Sequence, residues 1–142
     1  MKTRLVFAAL ALAVLGGCAI HQTVQPVASF GGKEVCIVKN PSVRDGFLNS
    51  FTHSLTERGY TVRQLDAGSS LVACPVTAIY AANWRWDLSM YMAYADISVY
   101  NNAKPAGKAT YDATRGGGNM SKFIDADKKI KELVAQLFPP AS

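Results

Sequence analysis

The chain has 142 residues, with 15 basic and 10 acidic side chains and a formal net charge of +5. That length supports one domain with a single core of ordinary size. The positive excess is too small to point to a nucleic-acid partner, and part of it comes from Lys2 and Arg4 at the very start.

Lys2 and Arg4 precede an unbroken apolar run, Leu5 to Leu15, which leads through Gly16 and Gly17 to Cys18. A bilayer-spanning helix needs roughly 20 apolar residues, so the run is too short to span and fits the core of a secretory signal. Leu15-Gly16-Gly17-Cys18 resembles the lipobox of bacterial prolipoproteins. The resemblance implies cleavage before Cys18, lipid on Cys18, and a mature chain of 125 residues with 13 basic and 10 acidic side chains. Ala19 stands where an aspartate would imply retention in the inner membrane. The resemblance therefore implies an outer-membrane lipoprotein whose domain faces the periplasm, where nucleic acid is not an expected partner.

Residues 1–17 are thus expected to be a signal peptide, 18–32 the lipidated cysteine with a short tether, and 33–140 one folded domain. The tether, AIHQTVQPVASFGG, has no clear period, and as a coil it would span about 20 Å. Glu34 to Lys39 reads as a short β-branched strand. Asn40-Pro41-Ser42 opens a helix, capped either by Asn40 or by Ser42 with Asp45. Val43, Phe47, Phe51 and Leu55 give it one apolar face, and Gly59 ends it. Tyr60 to Leu65 is a second strand. Two long strands follow, about Ala73 to Trp84 and Leu88 to Tyr100, and Gly107 to Ala113 is the last. The closing helix runs from about Ala126 to Phe138 behind an Asp125 cap. Ile130, Leu133, Val134 and Leu137 face inward, and Lys128, Lys129 and Lys131 face outward. The order β-α-β-β-β-β-α predicts an α+β fold, a mostly antiparallel sheet with two helices on one face.

Side chains alternate across a strand. Ala93, Ala95, Ile97 and Val99 form a small apolar set suited to lie under the helices. The opposite set carries Met92, Tyr94, Asp96, Ser98 and Tyr100, and with them we group Tyr80, Trp84 and Trp86 from the preceding strand. Tyr80, Trp84, Trp86, Tyr94 and Tyr100 are then the candidate anchors of a partner-binding face, because large aromatic residues dominate interface energetics. The competing reading is that these rings only stabilise an exposed sheet by cross-strand pairing.

With Cys18 lipidated, Cys36 and Cys74 remain as an even pair in an oxidising compartment, which favours a disulfide over two separately buried thiols. No serine sits in a nucleophile-elbow motif. Arg115-Gly116-Gly117-Gly118-Asn119 lacks the Lys-Ser/Thr of a phosphate loop. Neither His21 nor His53 has a metal-ligand partner at suitable spacing, and no metal or cofactor is expected. Asp87, Asp96 and Asp112 are surface carboxylates unless the fold brings them together.

Beyond the signal, the chain is similar to small proteobacterial lipoproteins of uncharacterised function. They share a cysteine pair, a Trp-containing strand and a closing helix of the type Lys129-Ile130-Lys131-Glu132-Leu133-Val134. Its strand–helix order is also similar to the amino-terminal domain of TolB and to lipoprotein activators of cell-wall synthases. These resemblances imply a non-enzymatic protein acting by binding in the cell envelope. The alternative is an inhibitor or immunity-type lipoprotein that blocks an incoming enzyme or toxin.

Overall fold

The structure is a computed structural model that describes residues 19–142; Cys18 and the signal-like segment lie outside the described residues. The elements are β1 (His21–Gln25), β2 (Glu34–Val38), α1 (Asp45–Glu57), β3 (Thr61–Leu65), β4 (Val76–Asp87), β5 (Ser89–Asn101), β6 (Lys104–Asp112) and α2 (Ala126–Leu137). A short 3-10 turn at Met120–Phe123 precedes α2. All six strands form one sheet in the order β1-β6-β5-β4-β2-β3. β2 runs parallel to β3 and β4, and the other pairings are antiparallel. The fold is α+β, as the pattern predicted.

Both helices lie on one face. α1 brings Phe47, Phe51 and Leu55, and α2 brings Ile130, Leu133, Val134 and Leu137, against Ile37, Ala78, Ala95, Ile97, Val99 and Ala109 of the sheet. The small residues of β5 let the helices approach closely, and the larger side chains of the helices fill the layer. Two successive crossovers flank β2. The first, from β2 to β3, contains α1. The second, from β3 to β4, runs back across β2 in the opposite direction. One hand for both crossovers places them on opposite faces of the sheet. Residues 66–75 accordingly cover β2 on the helix-free face. There Cys74 is disulfide-bonded to Cys36, with a Cα–Cα distance of 6.2 Å.

The structure departs from the sequence expectation in four places. The segment read as a tether supplies β1, which pairs with β6 from His21↔Asp112 to Gln25↔Lys108. The strand was hidden because its inward residues are Gln22 and Val24, and Gln22 is made tolerable by α2. Its amide donates to Glu132 at 2.8 Å, and its oxygen accepts from Lys129 at 3.0 Å. For the same reason Lys129 does not face solvent. It is buried against Gln22 and Glu132, 4.9 Å above the Tyr111 ring.

Third, neither Asn40 nor Ser42 caps α1. The helix begins at Asp45, and Arg44 precedes it without a side-chain cap. Asn40 is taken up elsewhere, since its backbone N–H donates to the Tyr80 hydroxyl at 3.1 Å and its amide donates to the Tyr80 carbonyl at 2.9 Å. Fourth, the β4–β5 ladder slips between Asn83 and Trp84, so that Asn83 faces Tyr94 but Trp84 faces Met92. A bulge of this kind breaks the alternation of faces. Met92 is therefore buried with Ala93 instead of lying outside with Tyr94.

Candidate functional site

The five aromatic residues predicted to share one face occupy three places. Tyr80 pairs with Ile97 and therefore points to the helices. It is 5% exposed, and its ring stacks on Phe47 with centroids 5.0 Å apart. It is a core residue and not an anchor for a partner. Trp84 also lies on the helix side, half-buried, with the Arg44 guanidinium 5.1 Å from its ring centroid. Tyr94 and Tyr100 alone lie half-buried on the helix-free face. Trp86 sits at the end of the β4–β5 hairpin. The assignment of Tyr80 and Trp84 to the open face fails because the pairing register sets Ala78, Tyr80 and Ala82 beside Val99, Ile97 and Ala95, the helix-facing set of β5, and Trp84 continues the same alternation.

The open face is polar at its centre. The Asp96 carboxylate accepts from Ser98 at 3.1 Å, Thr110 at 3.2 Å and Tyr94 at 3.4 Å, and pairs with Lys108 at 3.0 Å. Burial, reinforced by the Asp96 charge, pushes the Tyr94 hydroxyl up, and the Asp96 hydrogen bond pushes Lys108 up. The network consumes the carboxylate's acceptor capacity, so Asp96 is a structural hub for the sheet surface. Asp112 opposes Tyr94 on β6 and is held low by the Thr114 side-chain and backbone hydrogen bonds. Asp87 is remote from both, at the hairpin tip.

Glu34, Cys36 and Cys74 cluster closely enough to suggest a cation site. The two sulfurs are joined to each other, which removes the thiolates such a site would need. Arg63 takes the remaining position, donating to Glu34 at 3.1 Å and to the Cys74 sulfur at 2.8 Å.

The hairpin tip is the feature that sequence reasoning left undefined. Trp84-Arg85-Trp86 continues β4, and the chain reverses around Leu88, whose φ is 62°. A left-handed conformation at a residue with a side chain costs about 1–2 kcal/mol. Trp86, Leu88 and Met90 are respectively 71%, 82% and 46% exposed. Trp86 and Met90 are directly paired. Lys122 holds the tip from behind. Its ammonium donates to Asp87 and to the Gly117 carbonyl, and it lies 5.4 Å from the Tyr91 ring centroid and 5.2 Å from that of Phe123. Beside the tip, an open groove of about 390 Å³ is lined by Arg44, Trp84, Met90, Phe123 and Ile124, among others. The individual signals for this arrangement, Trp86, Leu88, Met90 and Lys122, are visible in the sequence, but nothing local brings Lys122 to Asp87.

Comparison with solved structures finds the same fold in PelC. A PelC dodecamer from Paraburkholderia phytofirmans superposes with a TM-score of 0.57 at 15% identity, covering 84% of this chain and 98% of that chain. A dodecamer of a point variant of the same PelC gives 0.54 at 12% identity, covering 84% and 94%. No protein-family model and no curated protein matches the sequence.

Proposed function

We propose that the protein is an outer-membrane lipoprotein, anchored through Cys18 and facing the periplasm, that acts without catalysis by binding other proteins. Its first partner in this reading is further copies of itself. The observation that carries the reading is the fold shared with PelC, whose solved forms are dodecamers, over nearly the whole PelC chain. The membrane half of the reading is supported by Leu15-Gly16-Gly17-Cys18 and by Ala19. The half-buried Tyr94 and Tyr100 on an uncovered sheet face supply surface for a protein contact.

The β1 pairing shortens the link to the membrane. Only Ala19 and Ile20 separate Cys18 from His21, the first residue of the sheet, and the three residue steps span about 10 Å when extended. A partner must therefore come to the membrane surface. The test is the mass of the detergent-solubilised lipoprotein by light scattering after size exclusion, with in-cell crosslinking of the same protein. A ring-sized species of uniform stoichiometry is expected. A monomer at every concentration, with no crosslinked partner, would overturn the reading.

A further inference from the structure

Three strands relate the hairpin tip to the start of the described chain. His21 opposes Asp112, and Asp112 opposes Tyr94, so β1 starts level with Tyr94 and runs in the same direction as β5. Going backwards from His21 towards Cys18 therefore leads to the same end of the sheet as going backwards from Tyr94 to Leu88. At about 3.3 Å per residue the tip projects roughly 20 Å past the level of His21, whereas Cys18 can lie about 10 Å past it. The apolar tip and the lipid attachment point thus face the same way, and the tip extends at least as far.

We propose that the β4–β5 hairpin tip is a membrane-contact element that lays Trp86, Leu88 and Met90 into the headgroup–acyl boundary of the bilayer holding the Cys18 lipid. The proposal rests on the anchoring reading above. The chemistry of the tip suits that boundary. Tryptophan is enriched at membrane interfaces, where its ring is amphipathic, and interfacial binding scales with buried apolar area. Arg85, exposed beside Trp86, is placed to meet lipid phosphates. The Lys122–Asp87 contact braces the tip against the 114–125 loop, so the apolar residues are presented on a fixed support. Leu88 keeps a large apolar side chain in a backbone conformation that glycine would adopt without strain, and such a side chain contributes only if something covers it.

The experiment is bromine quenching of Trp86 in the mature lipoprotein reconstituted into vesicles of brominated phosphatidylcholine and phosphatidylglycerol. Trp84→Phe leaves Trp86 as the sole tryptophan. If that variant does not fold, the difference between the wild-type protein and Trp86→Phe isolates the same signal. Trp86 emission is expected to shift to the blue, to be quenched by the brominated lipid and to be shielded from aqueous iodide. Leu88→Asp should remove most of the quenching. Acylation of Cys18 is read in parallel from the mass of the amino-terminal peptide. Quenching without acylation would uphold the tip and refute the anchor. An acylated, vesicle-bound protein whose Trp86 is not quenched would overturn the tip, whether iodide reaches the ring or a protein contact shields it. Absence of both signals would overturn both.

Discussion

Tyr80 offers a sharp test of which face of the sheet each aromatic serves. Its ring is stacked on Phe47 at 5.0 Å and meets Phe51 edge-on at 6.2 Å, and its hydroxyl accepts from the Asn40 N–H at 3.1 Å. Tyr80→Ala removes the whole ring from a buried site, which by the precedent of large aromatic truncations costs about 3–5 kcal/mol. Roughly 0.5–1.5 kcal/mol of that belongs to the specific ring–ring geometry. Tyr80→Phe keeps the ring and leaves the Asn40 N–H without its acceptor, a loss of about 1 kcal/mol. Since small domains are stable by only about 5–15 kcal/mol, the alanine variant should be visibly destabilised, and the phenylalanine variant remains foldable as a second reading. Equilibrium urea unfolding at one fixed protein concentration measures both, because self-association would otherwise shift the midpoint. A Tyr80→Ala variant within about 1 kcal/mol of the wild-type protein would refute the placement of this ring in the core.

Four further outcomes follow from the same structure. Tyr94→Ala, on the open face, should cost less than about 1 kcal/mol in the same urea assay, and any larger effect would show as weakened self-association or partner capture. Replacing Cys36 and Cys74 together by alanine should cost about 4 kcal/mol on the chain-entropy model for a sequence separation of 38, read as a lowered urea midpoint that reductant reproduces in the wild-type protein. Asp87→Ala leaves the Lys122 ammonium without its carboxylate and should cost about 1–2 kcal/mol, whereas Lys122→Met should fall within about 1 kcal/mol of neutral, because an apolar chain replaces a buried charge. Glu132 is held low by hydrogen bonds from Lys129 and Gln22, and Asp112 by those from Thr114. Depressed carboxyls stabilise above their unfolded pKa of about 4 and lose that contribution as pH falls through their folded values. Acid melts should therefore show stability falling with pH below about 4, and a shallower fall in the Asp112→Asn/Glu132→Gln variant.

Most of the architecture was legible because the elements are strongly patterned. The apolar face of α1, Phe47, Phe51 and Leu55, and that of α2 both lie where a helical period puts them. Asp125 accepts from the Lys128 N–H as an N-cap, and Gly59 takes a positive φ at the end of α1. The small set Ala93, Ala95, Ile97 and Val99 is buried under the helices. What could not be read depends on contacts distant in sequence. β1 is a strand because β6 lies beside it and because Lys129 and Glu132, more than 100 residues away, satisfy Gln22. The burial of Met92 depends on a one-residue slip in β5 that no local sequence signal marks. Lys122 is written as a surface lysine in a glycine-rich stretch, and only the tertiary fold makes it a buried brace for Asp87.

The pairing of β1 with β6 also defines a mechanical load path. A force applied at Cys18 would act along the axis of β1, against a five-residue ladder that must slide as a whole. In that shear geometry the ladder hydrogen bonds share the load and do not open one after another. Just past the ladder, the Val27 N–H donates to the Leu137 carbonyl at 2.8 Å, and Gly107 leaves no room for a side chain beside Val27. Tension applied ahead of β1 would therefore reach β6 and α2 directly, through a ladder loaded along its length and not peeled from one end.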